Sequence, residues 1–360
     1  MPDPSIRSLF SPRPGTTYLD AATYGLPPRP AADAMAAALE AWRTGTGRWV
    51  DDWDRPAEAA RADFASLIGA RAADIAFMPA VSVATGLVAQ GLRPGDVAVV
   101  ADDEFVSDLF PLLVAERRGV TVRQVPFDGL PDAIEAGTTL VVASLVQMQT
   151  GRVADLAAVT DRARAVGARV FLDTSHGTPF IPVAERIGSI DYLVCHAYKH
   201  LLGARGTAFL YVNPDVRDDI EPIFANWRAT TDPFTTFFGG PLRLHPDAAR
   251  FDISLAWLPW VATRESVRLV AGWARDGALA EPLALAADLA RAIGVPPTGS
   301  TIVRVPVADT QPARAALDAA GIRAAVRGGA IRLSVHLWND RSDIDRVTEV
   351  IRPYVMAVSA

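Results

Sequence analysis

Apolar and polar positions alternate between two rhythms along this chain. Short apolar runs rich in β-branched residues recur at 97–101, 121–125, 140–146, 170–173, 192–196 and 208–212. Runs of this length and composition read as strands buried on both faces. Several are separated by stretches with apolar residues three and four apart, at 82–90, 109–118 and 153–166, which is the spacing of a helix with one buried side. Strands alternating with helices imply an α/β fold, with a mostly parallel sheet flanked by helices. Ligands of such sheets gather at the carboxyl ends of the strands, and the segments around Asp173 and Lys199 end there.

The rhythm changes on either side of this region. Residues 1–30 are rich in Pro, Gly and Ser and predict an arm, followed by helical patterns at 30–44 and 56–69. From 213 to 255 a Pro, Gly and aromatic stretch fits neither period, and long structured loops of this kind are usually functional or interfacial. Helices at 262–275 and 280–293, strands at 301–306 and 330–335 and a helix at 341–352 read as a smaller α+β unit. The expected division is an arm at 1–30, a large domain at 31–255, and a small domain at 256–360 that the arm joins. A length of 360 residues suits this, being more than one small core needs.

Bulk composition narrows the classes. A net charge of −6 argues against nucleic acid as the main partner. No apolar run reaches the roughly 20 residues of a membrane helix, and the first residues show no signal-peptide core. The single cysteine, Cys195, excludes an internal disulfide or a Cys-rich metal site. A cytoplasmic location with no membrane partner is the expectation. No metal site is expected, and neither GxGxxG nor GxxxxGK[ST] follows a strand.

Of 35 basic residues, 34 are Arg and one is Lys, at position 199. Biased codon usage accounts for the excess of Arg but not for the surroundings of the lysine. Lys199 follows an apolar run within Cys195-His-Ala-Tyr-Lys-His-Leu-Leu-Gly, and His176, His196 and His200 lie within 25 positions of it. Arg stays protonated, whereas a buried Lys can lose its proton and act as an amine nucleophile or base. Lys199 is therefore the candidate for a Schiff-base lysine. Asp173 ends another apolar run in Phe171-Leu-Asp-Thr-Ser-His; a carboxylate there can cap, bind a metal or ribose, or pair with a protonated ring nitrogen. A pyridoxal cofactor needs both groups, the amine to form the imine and the carboxylate to keep the pyridine nitrogen protonated.

Asp173-x-x-His176, followed by Tyr198-Lys-His-Leu-Leu-Gly-Ala-Arg-Gly-Thr-Ala-Phe-Leu-Tyr-Val, resembles the class V aminotransferase family of pyridoxal 5'-phosphate (PLP) fold type I. Within it, the closest likeness is to the isopenicillin N epimerase-like branch, which includes cysteine-S-conjugate C–S lyases. The likeness extends over Tyr18-Leu-Asp-Ala-Ala-Thr-Tyr-Gly, Phe77-Met-Pro-Ala-Val-Ser-Val-Ala-Thr-Gly, Glu104-Phe-Val-Ser-Asp-Leu-Phe-Pro and Ile331-Arg-Leu-Ser-Val-His-Leu-Trp-Asn, in the family's order. It implies a seven-stranded-type sheet, PLP as cofactor, and a homodimer whose partner completes the site. By the same resemblance Lys199 carries the cofactor and then acts as base at Cα, Asp173 pairs with the pyridine nitrogen, and His176 lies beside the ring or its phenolic oxygen. Phe105 stacks on the ring. Val81, Ser82, His196 and Tyr198 serve the phosphate, Ser82 standing where a helix N-terminus favours an anion or where a serine simply caps. Trp227 and Ser254 belong to a rim supplied across the dimer. Gln147 stands near the family's contact to the phenolic oxygen, within a departing Val-Gln-Met-Gln-Thr-Gly. Arg332 is the candidate for the substrate carboxylate, which a guanidinium can grip through two hydrogen bonds; Tyr24 and His336 are further candidates for substrate or cofactor contact.

PLP loosens any of three bonds at Cα, so the cofactor alone leaves the product open. Cysteine desulfurase chemistry needs a mobile thiol, and Cys195 sits in an apolar run as a small hydrophobe. The segment around the ring-recognition residues of kynureninases is not reproduced. The first expectation is β-elimination from an S-substituted cysteine in a natural-product or thiol pathway. Epimerisation, with Tyr24 as an opposite-face acid, transamination, decarboxylation and a non-catalytic PLP-binding role are the alternatives. The aromatics between 224 and 260 read either as a substrate wall or as a dimer interface.

Overall fold

The computed structural model describes residues 4–356. Its centre is a seven-stranded sheet of β1 (Ile75–Met78), β2 (Val97–Ala101), β3 (Thr121–Val125), β4 (Leu140–Ser144), β5 (Arg169–Asp173), β6 (Tyr192–His196) and β7 (Ala208–Val212). The spatial order is β1-β7-β6-β5-β4-β2-β3. Only β7 runs against its neighbours, pairing antiparallel with both β1 and β6; the other pairings are parallel.

Side chains of these strands alternate between two cores. Val141, Val170 and Leu172 pack on one side of the sheet, and Leu140, Val142 and Phe171 on the other. Both faces are covered, which is why the strands read as continuous apolar runs and not as alternating ones. The helices are α1 (Arg29–Thr44), α2 (Glu58–Ile68), α3 (Val81–Gln90), α4 (Val106–Glu116), α5 (Leu156–Val166) and α6 (Trp257–Arg275). Helices α3 and α4 pack on one face, while α6 lies against α1 and α2. Thus the chain just after residue 256, read from sequence as part of the smaller unit, is a helix packed on the large one.

Beyond α6 come α7 (Ala280–Ala292), β8 (Ile302–Pro306), α8 (Thr310–Ala319), β9 (Ala325–Arg327), β10 (Ala330–Ser334) and α9 (Arg341–Ile351). Their core contains Leu289, Val305, Leu317, Ile331, Leu333 and Val347, and Leu19 of the arm joins it. The arm is tied in by a short parallel pairing of Thr17–Tyr18 with Ile322–Arg323. Strands β9 and β10 form a hairpin closed by Gly328 and Gly329, both at positive φ, as a two-residue type I′ turn requires.

The stretch 213–255 consists of short 3-10 turns rather than sheet or long helix. It is fastened by a buried ionic network. Asp252 accepts from Arg61 at 2.6 Å and from the Phe77 amide at 2.8 Å, and Arg228 pairs with Asp54 and Glu58. Removing one member of such a network leaves a buried charge without its partner, so it fixes where this loop lies.

Candidate active site

Strands β1, β2, β4, β5 and β6 deliver their carboxyl ends to one place. At the end of β6 the chain turns back toward β7, and this turn carries Lys199. Helix α6 braces it: Thr263 Oγ1 accepts from the Ala204 amide at 3.0 Å, and Ser266 Oγ donates to the Leu202 carbonyl at 2.7 Å. Leu202, with φ of 61°, is the non-glycine residue in the left-handed region, a strained conformation of the sort that collects at functional turns. From the arm, the Gly25 amide donates to the Tyr198 carbonyl at 2.8 Å.

Lys199 is 4 % exposed, and its Nζ lies 2.8 Å from His176 Nε2. Burial pulls the amine down to about 8; Asp173 opposes this, and Arg332 adds to it. Burial drives His176 well below its ordinary value, with the Lys199 charge adding to the effect. The neutral imidazole therefore accepts the lysine proton at Nε2 and carries its own hydrogen on Nδ1, which has no partner among the described residues. The Phe105 ring centroid is 5.5 Å from the same Nζ, and that of Tyr198 is 5.9 Å away.

Asp173 ends β5, buried, and accepts from the Ser175 amide at 2.7 Å. Two further buried acids stand beside it. Glu104 accepts from the Phe105 and Ser144 amides and from the Ser144 hydroxyl. Asp108, in the first turn of α4, meets Thr85 Oγ1 at 3.2 Å. Burial raises both carboxyls, Asp108 well above its ordinary range, and the nearby Asp173 charge pushes in the same direction. Asp108 was missed in the sequence reading although it stands three residues after Phe105, in a motif already quoted. The signal was its distance of one helical turn from a site aromatic.

Helix α3 starts beside these groups. Its N-cap is Ala80, which offers no side-chain cap, and Val81 is its first residue. Ser82 is thus the second residue of the helix and exposed, not its cap. The Val81 amide reaches His196 Nε2 at 3.4 Å. Burial holds His196 neutral, at about 3, so Nε2 accepts and Nδ1 carries a hydrogen with no partner among the described residues. An uncapped helix start with a buried imidazole donor beside it suits a phosphate. The sequence stretch beginning at Phe77 is divided in the structure: Phe77 and Met78 belong to β1, and the loop proper starts after them.

Arg332 lies on β10 with 1 % exposure. Its Nη1 donates to the Met148 carbonyl at 3.0 Å; its Nη2 donates to Thr23 Oγ1 at 2.7 Å and pairs with Asp20 at 3.4 Å. Burial lowers the guanidinium to about 10, against the pull of Asp20. Arg332 and the arm thus meet at the site, and its Nε remains unpartnered among the described residues. Behind Lys199, His200 stacks on His336 with centroids 5.7 Å apart, and His336 stacks on Trp338 at 4.6 Å. His336 is fully buried; its Nδ1 accepts from the Leu337 amide, and its Nε2 is 3.2 Å from the His200 carbonyl.

Of the other expected residues, some are exposed and some are committed to other partners. Gln147 is buried, but its Oε1 accepts from Gln149, from the Thr150 amide and from the Thr150 hydroxyl, and its Nε2 donates to the Asp103 carbonyl. Its amide braces its own turn and ties it to Asp103. Tyr24 is 48 % exposed, with its ring 5.5 Å from Tyr18. Trp227 sits in an aromatic cluster with Trp49, Phe234 and Phe237. Ser254 is exposed, next to Ile253, whose amide donates to the Phe77 carbonyl. No group of three or more His, Cys, Asp or Glu able to hold a metal occurs among the described residues.

A buried lysine of lowered pKa, a strand-end carboxylate, a Phe ring beside the lysine and an uncapped helix start define the site of a PLP-dependent enzyme, and the donors present fit that cofactor. The chain belongs to the class V aminotransferase family, whose model matches residues 17–227. Among its relatives, a probable cysteine desulfurase of Methanothermobacter thermautotrophicus is 32 % identical over 220 residues, 57 % of this chain and 55 % of that protein. A kynureninase of Pseudomonas fluorescens is 30 % identical over 241 residues, 62 % of this chain and 57 % of its own length. The chain thus spans just over half the length of these curated relatives. In fold it resembles the cystine C–S lyase C-DES, solved in complex with cysteine persulfide, at TM-score 0.83 and 19 % identity, covering 95 % of this chain and 98 % of that one. No helix among the described residues is long and apolar enough to cross a membrane.

Proposed function

We propose that this protein is a PLP-dependent lyase that eliminates a thiolate from an S-substituted cysteine. The observation that carries this reading is the pairing of a site built around the only lysine with a thiol that cannot reach it as a sulfur acceptor. Cys195 is fully buried in β6, its Sγ faces the His196 carbonyl at 3.6 Å, and burial pushes the thiol far up. Without a mobile thiolate on the enzyme, sulfur released from a substrate has to leave as a free thiol. The likeness to the C–S lyase and desulfurase members supports the same class.

The cofactor, when bound, supplies the electron sink for a carbanion at Cα. Asp173 would keep a proton on the ring nitrogen, and Phe105 would pack against the ring. The amides at the start of α3 and the His196 Nδ1–H would hold the phosphate. Arg332 orients the substrate by its α-carboxylate. Lys199, neutral to a useful degree near pH 8, would take the Cα proton, and neutral His176 accepts a hydrogen bond from its Nζ at 2.8 Å and so orients it. The Cβ–S bond then breaks with its electron pair on sulfur, and water converts the aminoacrylate left after release into pyruvate and ammonium. Trp227 and Ser254 would serve a second copy of the chain across a homodimer, a reading that rests on the family resemblance and on the exposure of Ser254.

The test is to supply PLP-loaded protein with S-substituted cysteines and assay pyruvate and free thiol. Both products in equal amounts, lost in Lys199→Ala, are expected. Solvent deuterium entering Cα without pyruvate would move the assignment to epimerisation.

A further inference from the structure

Arg332 is not the only guanidinium at Thr23. Arg327 Nη2 donates to the same Thr23 Oγ1 at 3.5 Å, while Arg332 Nη2 donates to it at 2.7 Å. The hydroxyl can accept from both because its own hydrogen goes to Asp20 Oδ1 at 2.7 Å. The two donor nitrogens therefore lie no further apart than the sum of their distances to one oxygen.

Arg327 is half-buried and forms no ion pair among the described residues; its other bond is from Nη1 to its own neighbour's carbonyl, Val326. Its position is built. It pairs across the hairpin with Ala330 at the mouth of the Gly328-Gly329 turn. The turn faces the 147–150 loop, where the Gln149 amide end lies beside Gly328. Keeping two guanidiniums on one hydroxyl costs repulsion, which Asp20 relieves for Arg332 alone.

We propose that Arg327 forms a second anion subsite beside Arg332, selecting amino-acid substrates whose side chain ends in a carboxylate or comparable anion. This rests on the reading of Arg332 as the α-carboxylate ligand in the proposed lyase. A short amino acid with two carboxylates spans the interval between the two guanidiniums. In thiol chemistry the matching substrates are S-carboxyalkyl cysteines, so the expelled thiol is itself acidic. Nothing in the site as read from sequence pointed to Arg327, because a guanidinium five residues from another is unremarkable among 34.

The experiment measures calorimetric binding of L-glutamate and L-glutamine to the PLP-loaded protein. The two are isosteric, differ in one charge, and carry no leaving group on Cβ. Glutamate binding at least ten times more tightly is expected. Arg327→Gln removes that preference while leaving glutamine binding within about twofold, and Arg327→Lys restores part of it. Arg332→Lys weakens both ligands alike. Equal affinity in the parent protein, a preference that survives in Arg327→Gln, or no binding of either ligand overturns the subsite. Turnover of S-carboxymethyl-L-cysteine against its S-carbamoylmethyl amide, followed as pyruvate, separates the two proposals. A charge preference in binding with no pyruvate from either compound removes the lyase reading and leaves the subsite standing.

Discussion

At the scale of single residues, Lys199 shows how burial turns a common side chain into a reagent. An exposed lysine is almost wholly protonated at neutral pH, whereas here desolvation lowers the amine to about 8. The attacking form is the neutral amine, so capture of free PLP by the apoprotein should accelerate as pH rises and level off above about 8, instead of climbing past 10. Stopped-flow absorbance across pH 6–10 checks this, and a rate still rising steeply at pH 10 would contradict it. Lys199 and His176 stood out in the sequence as rare types and Asp173 as a strand end, whereas Arg332, one of 34 arginines, stood out only through its Arg-x-Ser context. Asp20, Thr23 and Asp108 did not, since aspartate and threonine are common and only the docking of the arm and the buried turn of α4 brings them to the site. Gln147 stands near the family's contact in sequence, yet three hydrogen bonds spend its amide oxygen on its own loop and a fourth ties its nitrogen to Asp103, which periodicity cannot reveal.

Among elements, the arm matters more than its lack of regular structure suggests. Gly25 passes so close to the lysine turn that a Cβ would lie 2.2 Å from the Lys199 carbonyl and 2.6 Å from Leu202. Gly25→Ala should therefore push the arm away and lower stability by about 1–3 kcal/mol, measured as a lower denaturant midpoint at unchanged slope. The strands and most helices were legible from their apolar spacing, with ends displaced by a few residues. Helix α4 begins at Val106, earlier than its pattern indicated, because Val106, Phe110 and Val114 lie on its exposed face and fall outside the buried period. Strand β1 escaped notice for another reason. It is only four residues long and was absorbed into the loop that follows it.

For the whole molecule, that exposed face is informative. Val106, Phe110 and Val114 recur at four-residue intervals with 44 %, 55 % and 55 % exposure, and Phe238 is 96 % exposed. Three apolar residues repeated along one exposed helix face are what an interface would use, and the homodimer proposed above would cover them. Light scattering should give about twice the 38.4 kDa chain mass, and Phe110→Asp should shift the protein toward the monomer. The arm also carries an order of events. Thr17–Tyr18 pairs with Ile322–Arg323, and Leu19 is buried among residues from 285 to 351. A ribosome makes the first partner some three hundred residues before the second, and long-range contacts of this sort close late. During synthesis the sheet and its lysine turn can form while the arm still waits, so the contact of Arg332 with Asp20 and Thr23 is among the last parts of the molecule to exist. If Arg332 holds the substrate as proposed, a nascent chain gains its cofactor pocket before its grip on a substrate.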